Sequence, residues 1–178
     1  MSLNLIIGCM FSGKTSKLIE TITNKYTEKT HNKIYIITSS LDTRTTKYIQ
    51  THSGIKLFAN KRDNLDFTNE ELSVLQQHYN IIVIDEGQFF PNLVINIKHM
   101  LEYNLEIYIA GLDSDSNQEK FGEIIDLIPI ADNIIKLTGL CDICGNIGAF
   151  TKRINKNIHN QILIGDKNEY LCVCRKHL

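Results

Sequence analysis

Three groups of residues in this chain have the types and spacing that chemistry requires. Gly8-Cys9-Met10-Phe11-Ser12-Gly13-Lys14-Thr15 fits G-x-x-x-x-G-K-[ST], a loop that cradles phosphate. Gly8 and Gly13 can take backbone angles that a side chain would forbid. The loop's N–H groups then point inward, helped by the N-terminus of the helix that follows. Lys14 is expected to reach the β- and γ-phosphates, and Thr15 to set its hydroxyl on Mg²⁺. At average composition the pattern arises by accident in under about 1% of chains of this length.

The second group is Asp85-Glu86, two acids that close the apolar run Ile81-Ile82-Val83-Ile84. Ligands of a parallel sheet bind beyond the carboxyl ends of its strands. Asp85 is therefore expected to hold Mg²⁺, directly or through water. Glu86, turned toward the acceptor at the strand end, is the candidate general base, since a carboxylate can take a hydroxyl proton as the P–O bond forms. Alone, such acids also suit a strand that ends in solvent; after a phosphate loop the chemical reading is the stronger one. In Gly87-Gln88-Phe89-Phe90-Pro91, two aromatics beside a catalytic acid suit a flat apolar acceptor such as a base. Phe89 is expected in that pocket and Phe90 in the core. Gln88 is assigned with the ATP and Mg²⁺ group.

The third group lies near the end. Cys141-x-x-Cys144 and Cys174-x-x-His177 are two matching pairs about thirty residues apart, the spacing of a four-ligand Zn²⁺ site. A closed site of that kind is structural and folds a segment too small for its own core. Cys172 competes as a ligand, but its spacing to His177 is poorer, and it reads as an ordinary strand residue.

These groups need elements to position them. Residues 3–7 read as a short buried strand leading into the loop, followed by an amphipathic helix over about 14–29. Residues 33–38 form a second strand, and residues 39–62 a polar, exposed excursion with a turn signal at Ser53-Gly54. Asn69 is a candidate N-cap for a helix running to about His78. The run 81–85 suits a strand buried on both faces. Leu93, Val94, Ile97, Met100 and Leu101 recur at helical spacing. A strand over 105–110 and a helix over 123–131, kinked or ended by Pro129, follow. Residues 134–137 are expected to close the core. Strands alternating with helices predict an α/β fold with a mainly parallel sheet, and from Cys141 the character changes to short strands, turns and metal-ligand types.

Composition narrows the rest. The chain has 178 residues, 43% of them hydrophobic, enough for one main domain with a small appendage. A net charge of −1 and the lack of a basic stripe disfavour a nucleic-acid binder. No apolar run is long enough to span a membrane. The loop motif begins at residue 8, which leaves no room for a signal peptide. Five clustered cysteines suit metal ligation in a reducing, cytoplasmic setting rather than a disulfide framework.

The phosphate loop, Asp42-Thr43-Arg44, Asp85-Glu86-Gly87-Gln88-Phe89-Phe90, Gly111-Leu112-Asp113, Thr151-Lys152-Arg153, Ile164-Gly165, Tyr170 and Cys174-x-x-His177 follow one another in order. Together they resemble the type II thymidine kinases over essentially the whole chain. The resemblance implies a P-loop NTPase-like (RecA-like) domain over 1–139 and a zinc-binding, ribbon-like lasso over 140–178 that closes over the nucleoside. It implies transfer of the γ-phosphate of ATP to the 5′-hydroxyl of thymidine, with Mg²⁺ and a structural Zn²⁺, in pyrimidine deoxynucleoside salvage. It also implies a homotetramer, dTTP as a feedback inhibitor, and no nucleic-acid or membrane partner. By matching motif, Glu86 would be the base, and Asp42, Thr43 and Arg44 would serve the nucleotide. Met10, Phe89, Leu112, Phe121, Thr151 and Tyr170 would line the thymine pocket, and Gln161-Ile162-Leu163-Ile164-Gly165 would offer backbone hydrogen bonds to the base. Cys9 stands where the family usually has proline, and Ser116 where it typically has an aromatic. Two other classes fit part of the pattern: a phosphate-loop ATPase gripping nucleic acid through a zinc ribbon, and a non-catalytic nucleotide sensor.

Overall fold

The computed structural model describes residues 1–25, 33–44, 47–51, 54–155 and 160–178. In chain order the elements are β1 (Ser2–Gly8), α1 (Lys14–Lys25), β2 (Ile34–Ser39), β3 (Tyr48–Gln50), β4 (Lys56–Phe58), β5 (Asn60–Arg62), α2 (Asn69–His78), β6 (Ile81–Asp85), α3 (Leu93–Leu101), β7 (Glu106–Leu112) and β8 (Asn133–Leu137). Four short strands follow: β9 (Gly139–Leu140), β10 (Ile147–Gly148), β11 (Phe150–Arg153) and β12 (Tyr170–Val173). Tight 3₁₀ turns cover Gly87–Phe89, Ile124–Ile130 and Arg175–His177.

Six strands form one sheet in the order β5-β2-β6-β7-β1-β8, and every pairing in it is parallel. A parallel strand covered on both faces must be apolar throughout. β6 meets that demand over Ile81–Ile84, and its last residue, Asp85, is the buried acid at the strand's carboxyl end. Alternate residues of each strand then feed opposite cores. Leu3, Leu5 and Ile7 pack with Leu72 of α2, Leu93, Ile97 and Met100 of α3, and Ile124 and Leu127 on one face. Ile6, Val83 and Ala110 pack with Leu18, Ile19 and Ile22 of α1 on the other. The carboxyl ends of β1, β6 and β7 therefore meet at one rim of the sheet.

Several sequence expectations change in detail. The N-cap of α2 is Thr68 rather than Asn69: Thr68 and Glu71 form a reciprocal capping box. Residues 39–62 hold three strands; β3 and β4 form an antiparallel pair, and β5 joins the main sheet as its edge. The expected helix over 123–131 is a 3₁₀ segment, because Pro129 removes an N–H and its ring opposes α-helical continuation. Its apolar residues at 124, 127 and 130 suit a helix of three residues per turn. Residues 134–137 do not close the core: β8 is the outer strand beside β1, and Ile134 and Ile135 are exposed. The last turn expected of α1, residues 26–29, and Ser53 of the turn signal lie outside the described residues.

The tail is built from two antiparallel pairs, β9 with β10 and β11 with β12. Asp142 stitches the knuckle at 141–144 to β12, its carboxylate accepting from Cys172 N–H at 2.7 Å and its own N–H donating to Cys172 O at 2.8 Å. Among the described residues no helix is long and apolar enough to cross a membrane.

Candidate functional site

β1 delivers the chain into the phosphate loop at Gly8. A Cβ there would lie 2.4 Å from the carbonyl oxygen of Leu137, so β8 leaves room only for glycine. Gly13, with φ of 83°, makes the turn into α1. The loop is closed by Ser12 Oγ and Lys14 Nζ, which both donate to the carbonyl of Cys9, at 2.8 and 2.7 Å. The ammonium is thus folded over the loop where phosphates would lie. Burial holds Lys14 below the usual lysine pKa, while the negative groups of Glu86, Cys9, Asp85 and Asp113 oppose that shift.

β6 delivers the two acids. Asp85 is buried and accepts from Thr15 Oγ1 at 3.0 Å, which joins the end of β6 to the start of α1. Burial and the adjacent Glu86 push its carboxyl up to about 7, against the donors Thr15 Oγ1 and Glu86 N–H. Glu86 itself sits at φ 58° and ψ 43°, a left-handed turn that swings its side chain off the strand axis. One carboxylate oxygen accepts from Gln88 Nε2 at 2.7 Å. The other pairs with the guanidinium of Arg44. Gln88 passes the constraint on, its Oε1 accepting from Leu112 N–H at 3.0 Å at the end of β7. Arg44 also makes a forked contact with Asp42, at 2.7 and 3.1 Å. Burial works against that guanidinium, but Glu86 and Asp42 on either side raise its pKa further.

These groups face a cavity of about 590 Å³. Its lining includes Met10, Phe11, Gly13, Lys14 and Thr15 of the phosphate loop, the polar Asp42, Arg44, Asp85, Glu86 and Gln88, and Phe89, Leu112, Phe121, Gln161, Leu163, Ile164, Gly165 and Tyr170. Phe89 and Phe121 meet edge to face with ring centroids 5.6 Å apart, while Phe90 is buried in the core. Gly8, Cys9, Ser12, Thr43, Thr151 and Ile162 are not wall residues. Thr151 is buried, and its hydroxyl accepts from Met10 N–H at 2.9 Å, so it braces the phosphate loop. Ile162 is exposed. The wall also includes Ser116, singled out above as a departure from the family pattern, and Ile49, Gln50, Asp115, Asp166, Lys167 and Asn168, which motif reading missed. Only Asp115 carried a signal, the turn-rich run Asp113-Ser114-Asp115-Ser116-Asn117. Its carboxylate caps that turn by accepting from Asn117 and Glu119 N–H at 2.8 and 3.0 Å.

The tail presses against the phosphate loop as well. Cys9 Sγ and Cys172 Sγ lie 3.6 Å apart, both buried and both within reach of Gly148 O. Burial and the neighbouring Cys9 push the Cys172 thiol up to about 12, which keeps it protonated. At the far end of the tail, one ligand atom from each of Cys141, Cys144, Cys174 and His177 lies within 4.8 Å of all the others. Three of the six edges are 3.8 Å for Cys144–Cys174, 3.6 Å for Cys141–His177 Nδ1 and 3.3 Å for Cys174–His177 Nδ1. A tetrahedron with ordinary Zn–S and Zn–N bonds has edges of ~3.5 Å, so the four residues fit Zn²⁺.

The sequence model of the family described as "Thymidine kinase" matches residues 1–178. The chain is 33% identical over 174 residues to "Thymidine kinase" of Myxoma virus (strain Uriarra), covering 98% of this chain and 94% of that one. It is 35% identical over 180 residues to "Thymidine kinase" of Mycoplasma genitalium, covering 97% and 81%. It is 35% identical over 179 residues to "Thymidine kinase a" of Arabidopsis thaliana, covering 99% and 74%.

Proposed function

The chain belongs to the thymidine kinase family and phosphorylates thymidine, and we propose how its cleft does so: the γ-phosphoryl group of ATP passes in line to the 5′-hydroxyl, with Glu86 as general base. One observation carries this reading. Glu86, held by Gln88 and Arg44, lines the same cavity as the phosphate loop and the apolar Phe89, Leu112 and Phe121. A donor phosphate and an apolar acceptor can therefore meet at its carboxylate.

The loop amides and Lys14 bind and neutralise the triphosphate, and Arg44 adds positive charge from the facing loop. Thr15 and Asp85 offer the oxygen ligands a hard cation takes and would hold Mg²⁺, which when bound neutralises the phosphate oxygens. The thymine ring lies between Phe89, Leu112, Phe121, Tyr170 and Met10, under backbone groups of 161–165. Most of the rate enhancement is positioning and electrostatics, to which Glu86 adds removal of the hydroxyl proton. Cys141, Cys144, Cys174 and His177 hold a structural Zn²⁺ and so shape residues 140–178 as a unit that closes over the nucleoside. dTTP carries both the base and a triphosphate, so it can occupy the cavity as a feedback inhibitor. The assembly is a homotetramer, and five cysteines outside any disulfide suit a reducing cytoplasm.

Transfer of labelled γ-phosphate to thymidine, compared between wild type and Glu86→Gln, tests the chemistry. Turnover is expected to fall at least about a hundredfold while thymidine and ATP still bind. Near-normal turnover in the variant would remove Glu86 from the role of base.

A further inference from the structure

β11 spans only Phe150–Arg153, yet its side chains reach three separate parts of the site. Thr151 accepts from the phosphate loop at Met10 N–H, and Lys152 donates to the carbonyl of His177, next to the zinc ligands, at 2.7 Å. Arg153 points the same way as Thr151, because side chains two apart share a face of a strand. Its guanidinium is largely buried, stacks 5.3 Å from the centroid of Tyr170, and, among the described residues, donates to three acceptors. These are Asn160 O at 2.8 Å, Gln161 O at 3.2 Å and Tyr170 Oη at 2.9 Å. Tyr170 Oη, having accepted that bond, donates its own proton to Leu163 O at 2.9 Å. Three carbonyls of the segment 160–163 are thereby gathered on one buried cation and its tyrosine relay.

The same segment is gripped from its other flank. Gln161 Nε2 donates to Asp115 Oδ2 at 2.9 Å and to Lys120 O at 3.0 Å, on the turn that follows β7. With the carbonyls of 160, 161 and 163 committed, the peptide planes between them have little freedom to rotate. A planar fork with several fixed donors can satisfy carbonyls in different directions at once, which a lysine ammonium on a flexible stem does not reproduce.

We propose that Arg153 is the positioning residue of the acceptor lid: it fixes the peptide groups of 160–163 so that the lid meets the base in one orientation. It touches neither phosphate nor the reacting hydroxyl. The proposal rests on the reading of 161–165 as the segment that recognises the base, and it adds a specific residue that holds the segment in shape. An arginine confined to tail folding would act through the zinc knuckle, so its loss would lower zinc content and weaken ATP binding along with thymidine binding.

The test compares wild type with Arg153→Met and Arg153→Lys by thymidine kinetics, thymidine calorimetry, ATP kinetics and zinc content per chain. Both variants are expected to raise the KM and Kd for thymidine at least about tenfold, the weight of one charged hydrogen bond. KM for ATP should stay within about twofold of wild type, with zinc content unchanged. Wild-type thymidine affinity in Arg153→Lys overturns the proposal, because the fork would then be dispensable. A rise in KM for ATP beyond about twofold, or loss of zinc, overturns it in favour of a general folding role. If Arg153→Met does not fold, Arg153→Lys keeps charge and stem and carries the test alone. Failure of wild type itself to bind thymidine would strike the acceptor-site reading instead.

Discussion

Glu86 is held by one neighbour in its own motif, Gln88, and one from a distant loop, Arg44. Its left-handed backbone turns it off β6, and Gln88 then fastens its carboxylate to the end of β7 through the N–H of Leu112. Gln88 is buried, so truncation leaves that N–H without its acceptor, a loss of about 1–3 kcal/mol. Gln88→Ala is therefore expected to lower the thermal midpoint and to reduce kcat at least about tenfold, with little change in KM for ATP. Steady-state kinetics and a melting curve check both halves. A wild-type kcat would mean that Arg44 alone orients the base. Motif reading grouped Gln88 with the phosphate binders, but its hydrogen bonds serve Glu86 and Leu112. That difference lies in a pairing across strands, which spacing along the chain does not encode.

At the scale of elements, local chemistry is readable when its partners are near in sequence. The phosphate loop, the acids closing β6 and the two ligand pairs of the tail all depend on spacings of a few residues, and all were legible. The start of α2 was misread by one residue, although Thr68-x-x-Glu71 is a capping-box pattern. Asn69 is occupied elsewhere, its side-chain oxygen lying 2.8 Å from His99 Nε2 and 3.0 Å from Tyr103 Oη. Thr68→Ala is expected to destabilise the fold by about 1 kcal/mol and leave both KM values unchanged, as denaturant unfolding and kinetics would record. β8 was misjudged for a different reason. Its apolar residues suit a central strand or an edge strand equally well, and only the sheet order makes it the edge.

For the whole molecule, the tail and the phosphate loop form one mechanical unit. Met10 N–H bonds to Thr151, and Cys9 packs on Cys172, so the tail braces the phosphate loop as well as supplying residues 161 and 163–168 to the cavity wall. Metal removal should then affect both substrates. With a zinc chelator, the thermal midpoint is expected to fall, thymidine Kd to rise at least about tenfold, and ATP affinity to weaken by a smaller factor. Calorimetry before and after chelation, with zinc restored as the control, measures this. Unchanged binding and melting after complete chelation would mean that the Cys141, Cys144, Cys174 and His177 cluster has no structural metal.

The sequence alone presented a phosphate-loop motif, an acid pair closing an apolar run, two pairs of metal-ligand types and strands alternating with helices. Each comes from residues close in the chain, whose geometry follows from backbone periodicity and side-chain type. The tertiary structure decided how those parts are coupled. Met10 meets Thr151, Gln88 meets Leu112, and Gln161 meets Asp115 only once the strand order and the path of the tail are settled. The physical reason is that a buried donor must find an acceptor wherever packing brings one. That acceptor can stand more than a hundred residues away, beyond the reach of any local pattern.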